Sequence, residues 1–170
     1  MDVRPERDAD RAAIRAVNEA AFESRAEADI VDALRAKGVE LVSLVAARDG
    51  EVLGHIVFSP VALVGQDGLK LMGLGPMAVL PLEQRKGIGS TLVREGLRRC
   101  QHFAVQAVVV VGHPQFYPRF GFTPARQRGI RCEYDVPDDV FMLAELEPGV
   151  LRGVSGLIRY DEAFGSEQKR

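Results

Sequence analysis

A chain of 170 residues that is 46% hydrophobic can bury a full core, and its composition excludes a disordered polypeptide. A net charge of −2 gives no global pull toward nucleic acid or membrane. The charged start MDVRPERDADR does not read as a signal peptide, and no apolar run approaches the roughly 20 residues of a spanning helix.

Cys100 and Cys132 show neither a CxxC pair nor metal-ligand spacing. Two reduced thiols, no metal and a cytoplasmic location are the expectation.

A short strand is predicted near Val3. Asp8 or Asp10 then stands as an N-cap, and Ile14, Val17, Ala21 and Phe22 follow at helical spacing. A second helix is predicted over 26–37, with Ile30, Val31 and Leu34 as its apolar stripe and Gly38 as its C-terminal glycine. The period then changes. Residues 41–47 and 52–64 read as strands joined at Arg48-Asp49-Gly50-Glu51, where Asp-Gly tolerates positive φ. Gly65-Gln66-Asp67-Gly68 is a further turn before a strand over 69–79, which completes an antiparallel meander.

Residues 87–102 return to a helical pattern, with Ile88, Leu92 and Leu97 inward and Arg94, Arg98 and Arg99 outward. The β-branched run at 105–111 suits a central strand covered on both faces. A short helix near 114–119 and strands near 140–147 and 154–160 follow, and the tail GSEQKR is expected to fray. No repeat or linker interrupts the chain. One α/β domain over 1–163 with a tail at 164–170 is the economical reading.

The most informative stretch is MAVLPLEQRKGIGS, from Met77 to Ser90. A strand ends, a short loop follows, and glycines open a helix. Free amides at a helix N-terminus point outward with partial positive charge. Glycines clear the approach of a phosphate to them, and Arg85 and Lys86 add full charge. This chemistry suits a pyrophosphate. A dinucleotide fingerprint would need a third glycine where Leu92 stands. A P-loop would place its lysine after the last glycine, whereas Lys86 precedes Gly87. A tight turn that uses glycine only for packing is the bland alternative.

The spacing Gln84-x-x-Gly87-x-Gly89 resembles the [Arg/Gln]-x-x-Gly-x-[Gly/Ala] signature of the GNAT superfamily of N-acetyltransferases. The order of elements is similar over nearly the whole chain. GHIVFSPV, GPMAV, GHPQFYPRFGF and VFMLAELEPG resemble the YhbS-like bacterial branch in particular. The resemblance implies a mixed, mostly antiparallel sheet flanked by helices and splayed between the fourth and fifth strands, with acetyl-CoA entering the V-shaped opening.

It further implies that the backbone of Met77, Ala78 and Val79 pairs with the pantetheine arm. Independently, Gly75-Pro76 predicts a bulge or broken pairing there, because proline donates nothing to a ladder. The pyrophosphate would sit on the amides of Arg85, Lys86, Gly87, Ile88, Gly89 and Ser90, with the Gln84 side chain holding the turn. Tyr117, before Pro118-Arg119-Phe120-Gly121-Phe122, corresponds to the family's tyrosine that protonates the departing thiolate. Without the resemblance, a packed aromatic beside Phe116, Phe120 and Phe122 is the plainer reading of the same residue.

Two departures stand out. Val110 occupies the position where many relatives carry asparagine, and no carboxylate lies on the fourth strand. A dedicated base is therefore not expected. Glu27 and His113 are the candidates for a proton relay or acceptor contact, and His113 also for a cofactor contact. Glu23 is a weaker candidate, and His55, on an apolar strand, reads as structural. The resulting expectation is an acetyl-CoA-dependent N-acetyltransferase acting on a primary amine by direct attack in a ternary complex, without metal, nucleic acid or membrane, as monomer or homodimer. The alternative is a non-catalytic acyl-CoA sensor or interaction module.

Overall fold

Helix α1 (Arg11–Phe22) forms where Ile14 and Val17 recur at helical spacing, and α2 (Ala26–Ala36) where Ala28, Val31 and Leu34 do. Gly38, with φ 69°, takes the left-handed conformation expected just past α2. The computed structural model describes residues 1–165. It divides into two units: Met1–Phe58 with Gly75–Arg99, and Ser59–Leu74 with the chain from Cys100 onward.

In the first unit, β1 (Asp2–Pro5) pairs antiparallel with β2 (Val42–Arg48), and β2 with β3 (Glu51–Leu63). The connecting turn has positive φ at both Asp49 (53°) and Gly50 (81°), as a two-residue hairpin of this hand requires. The neighbour of β3 is β4 (Leu71–Val79). Ile14, Val17 and Val31 of the helices pack on Val45, Val52, Val57 and Ala78 of the strands.

The third helix, α3 (Ile88–His102), approaches the strands closely. A Cβ on Gly54 would lie 3.1 to 3.2 Å from Leu92, Ile88 and the Ala78 carbonyl. One on Gly96 would lie 2.3 Å from the Phe58 ring. These two glycines set how near α3, and so its N-terminus, sits to the sheet.

In the second unit, β4 pairs in parallel with β5 (Ala107–Val111), from Leu71↔Ala107 to Leu74↔Val110. The next peptide, Gly75-Pro76, is cis. Strand β5 pairs antiparallel with β8 (Phe141–Glu145), and β8 with the two-residue β6 (Thr123–Pro124). Strand β7 (Ile130–Cys132) runs parallel to β9 (Gly156–Arg159), which joins the end of β3. The sheet is mixed and mostly antiparallel, of the α/β class anticipated. Val61, Leu71, Val109, Leu143 and Ile158 form part of this unit's core.

Some boundaries differ from expectation, each for a local reason. The run at 105–111 becomes strand only at Ala107, because the Val105 amide still bonds the Cys100 carbonyl (3.0 Å) at the end of α3. The helix expected at 114–119 is a 3-10 turn, Tyr117–Phe120, closed by Gly121 at φ 93°. Asp10 does precede α1, yet its carboxylate holds Arg4 (2.7 and 3.0 Å) and the Arg7 amide (2.7 Å) rather than the helix. Of the expected tail, Phe164 packs edge-to-face on Tyr160 (5.4 Å), and 166–170 lie outside the described residues.

A polar chain runs through the core of the first unit. The Asn18 side-chain amide reaches His55 Nδ1 (3.3 Å), His55 Nε2 lies 2.8 Å from Ser43 Oγ, and Ser43 donates to Glu6, which also accepts from Arg35. Burial pushes His55 below its ordinary value, more than Glu6 pulls it up. Burial would raise Glu6, but hydrogen bonds from His55, Arg35 and Ser43 outweigh it and hold the carboxyl at about 2. Both groups thus bind fewer protons folded than unfolded, so stability is complete above pH 6.5 and is lost on acidification. Thermal scans should show a level Tm above pH 6.5, a fall below it from His55, and a further fall from 4.5 toward about 2 from Glu6. His55→Gln should flatten the upper part of that fall; a wild-type Tm unchanged down to pH 4.5 would show that His55 is not held neutral.

Candidate active site

The end of β4 and the start of α3 belong to the same unit. Ala78 turns its side chain into the core, while Met77 and Val79 stay partly exposed. The chain then makes a 3-10 turn, Pro81–Glu83, in which the Glu83 amide bonds the Leu80 carbonyl (2.8 Å). Gln84 Nε2 donates back to the Val79 carbonyl (3.0 Å), so its side chain ties the loop to the strand end. Arg85 (φ 63°) and Gly87 (φ 88°) both adopt left-handed conformations. They reverse the chain into α3.

The first amide bonded into α3 is that of Thr91, to the Gly87 carbonyl (3.1 Å), and the Thr91 hydroxyl bonds the same oxygen (2.9 Å). Among the described residues, the amides of Gly87, Ile88, Gly89 and Ser90 donate to no backbone carbonyl. They are the four orphan donors of a helix start. Space around Gly87 is open: a Cβ there would meet nothing within 4 Å. Arg85 and Lys86, both exposed, supply positive charge beside them. The arrangement can hold an anion.

Tyr117 and His113 lie in the other unit. The His113 carbonyl accepts from the amides of Phe116 (3.1 Å) and Tyr117 (3.4 Å), and its side chain is exposed. The Tyr117 ring is packed edge-to-face by Phe116 (5.0 Å) and Phe122 (5.6 Å), and is only 6% exposed. Burial pushes its phenol up to about 12, still further above neutral pH than the ordinary 10.0. A Cβ on Gly112 would fall 2.3 Å from Tyr117 Cε2. Only glycine at 112 leaves room for this ring.

Glu27 lies in the first turn of α2, and its Oε1 is buried without a hydrogen-bond partner among the described residues. Glu23 ends α1 in a left-handed conformation (φ 51°) and is exposed. Val110 is fully buried within β5. Among the described residues no cluster of three His, Cys, Asp or Glu side chains could hold a metal ion. Among the same residues no helix is long and apolar enough to cross a membrane.

The model of the acetyltransferase (GNAT) family matches residues 10–122, well over half of the chain. The chain belongs to the GNAT family. It is 39% identical over 165 residues to the uncharacterized N-acetyltransferase YhbS of Escherichia coli (strain K12), which covers 96% of this chain and 98% of that one. The crystal structure of E. coli YhbS in complex with CoA matches with a TM-score of 0.91 at 38% identity, over 96% of this chain and 91% of that one. A GNAT family acetyltransferase from Brucella melitensis, in complex with acetyl-CoA, matches with a TM-score of 0.81 at 39% identity, over 96% and 97%.

Within this GNAT chain, sequence reasoning missed the close approach of Gly112 to the Tyr117 ring and the fork between Arg48 and Glu83 (3.2 and 3.1 Å). Neither carries a local sequence signal, because each depends on a contact that only the fold creates. Gly112 generates a direct test. Gly112→Ala should destabilise the protein by about 1–3 kcal/mol through overpacking against Tyr117. Chemical denaturation checks the loss, and unchanged stability would mean that the ring is not held against Gly112.

Proposed function

We propose that this chain is an acetyl-CoA-dependent N-acetyltransferase that moves an acetyl group to a primary amine by direct attack in a ternary complex. The observation that carries the cofactor reading is the set of unpaired amides at 87–90 beside Arg85 and Lys86. Donors of this kind bind a pyrophosphate without a metal. The CoA and acetyl-CoA complexes of the YhbS and Brucella relatives support the same ligand.

In this reading the pyrophosphate rests on the amides from Arg85 to Ser90, with Ile88 giving only its amide because its side chain is in the core. Gln84 shapes the turn through Val79. The backbone of Met77, Ala78 and Val79 takes the pantetheine arm and polarises the thioester carbonyl. His113 offers its exposed ring to cofactor or acceptor.

The chemistry balances with few groups. A neutral amine attacks the acetyl carbon, a C–N bond forms, the C–S bond breaks, and the departing sulfur takes the Tyr117 proton. The phenol carries its proton at neutral pH, as any phenol with an ordinary value of 10.0 does, and burial raises it further. Desolvation disfavours a bare thiolate in the same way, so the proton moves once the sulfur is shut from water. The acceptor's surplus proton leaves through solvent, by way of Glu27 or His113, and Tyr117 is reprotonated. Proximity supplies most of the acceleration.

Tyr117→Phe removes the hydroxyl and keeps the ring. Turnover, read as thiol release from acetyl-CoA over a panel of amines, should fall by about a hundredfold or more while CoA affinity changes little. Near-normal turnover would refute the acid role. Thermal stabilisation by CoA with no turnover on any amine would favour the sensor instead.

The absence of a carboxylate on β4 makes a second demand. With no dedicated base, turnover measured against pH should rise through the pKa of the acceptor itself, and that rise should shift to lower pH when a less basic amine is used. Glu27→Gln and His113→Ala should each cost well under the roughly 10²–10⁴-fold of a positioned catalyst. A loss of several orders of magnitude in either variant, with CoA binding intact, would reveal a true general base.

A further inference from the structure

The loop that leads into α3 carries a carboxylate, Glu83, two residues before the stretch proposed to hold a pyrophosphate. Coulomb's law makes such a charge unfavourable to the ligand. Its side chain is nevertheless engaged in a specific way. Arg48 Nη1 and Nη2 donate to Oε1 and Oε2 at 3.2 and 3.1 Å, a two-pronged fork. Lys86 Nζ lies 3.6 Å from Oε1. The Glu83 side chain is only 15% exposed, although it sits on a surface loop.

The two ends of this fork differ in kind. Arg48 closes β2, immediately before the Asp49-Gly50 hairpin turn, and is held in register opposite Glu51 of β3. Glu83 closes the 3-10 turn that begins the loop. The fork therefore fastens a loop to a regular strand. The other ties lie nearer the strand: Leu80 amide to Leu53 carbonyl (2.9 Å) and Gln84 side chain to Val79 carbonyl (3.0 Å).

Beyond Gln84 the chain must still pass through Arg85, a non-glycine residue in a left-handed conformation (φ 63°). Such a conformation persists only where its surroundings over-determine it. Glu83, two residues before it and anchored to β2 through Arg48, pairs with Lys86 just after it.

We propose that Glu83 is a positioning residue for the cofactor: held by Arg48 and holding Lys86, it fixes the loop so that the amides of 87–90 face the pyrophosphate. This rests on the reading of that turn as the pyrophosphate site. The sign of one substitution separates it from simple electrostatics. If Glu83 were only a nearby charge, Glu83→Gln would remove a repulsion, release Lys86 and tighten CoA. As a positioning residue, its loss should loosen CoA.

The test is calorimetry of CoA binding, with KM for acetyl-CoA and kcat, on Glu83→Gln, Arg48→Met, the double variant and Gly89→Glu. Glu83→Gln should raise Kd and KM about tenfold, with kcat at saturation within about twofold and Tm nearly unchanged. Arg48→Met should act alike, and the double variant should be no worse than either, since both break one fork. Gly89→Glu, which puts a carboxylate against the phosphates, should abolish binding in a folded protein. If Gly89→Glu fails to bind while Glu83→Gln binds as tightly as wild type or tighter, the positioning role is overturned and the pyrophosphate reading stands. If folded Gly89→Glu binds CoA normally, that reading falls and the role of Glu83 with it.

Discussion

Four backbone amides at the start of α3 have hydrogens to donate and no backbone acceptor among the described residues. A helix cannot satisfy its own first turn. Most proteins cover that turn with a side-chain cap or leave it to water. Here Gly87 keeps the approach bare, and the exposed Arg85 and Lys86 add positive charge beside it. Two further glycines, at 54 and 96, remove the side chains that would push α3 off the strands. The Thr91 hydroxyl and amide both hold the Gly87 carbonyl, so the turn is braced from the helix side as well.

The second unit contributes a different kind of constraint. Tyr117 is buried among Phe116, Phe120 and Phe122, and that burial raises its hydroxyl to about 12. The packing of the ring and the titration of its hydroxyl are therefore one feature here. Gly112 is its silent partner, since any side chain there would displace the ring.

Much of this was legible in the amino-acid sequence, for identifiable reasons. Long periodic segments announced α1, α2 and α3, and Asp49-Gly50 announced its hairpin through its tolerance of positive φ. Gly87 and Gly89 pointed to a helix start there, and α3 does begin at Ile88. Strands β6 and β7, of two and three residues, are too short to show an alternation, and they were missed. The Arg48–Glu83 fork spans 35 residues and has no local signature. Asp10 was legible as a residue before a helix but not as the anchor of Arg4, because that contact depends on β1 lying beside it. The roles of Tyr117 and of residues 77–79 came from resemblance, since spacing alone does not distinguish a catalytic phenol from a core one.

The most direct test of the central claim observes the amides themselves. In a backbone NMR titration with CoA, the amide resonances of Gly87, Ile88, Gly89 and Ser90 should move together, and to larger shifts than those elsewhere in α3, as charged acceptors replace water. Their hydrogen exchange should slow in the complex. Saturating CoA that leaves these four signals and their exchange rates unchanged, while others shift, would contradict a pyrophosphate seated on the start of α3.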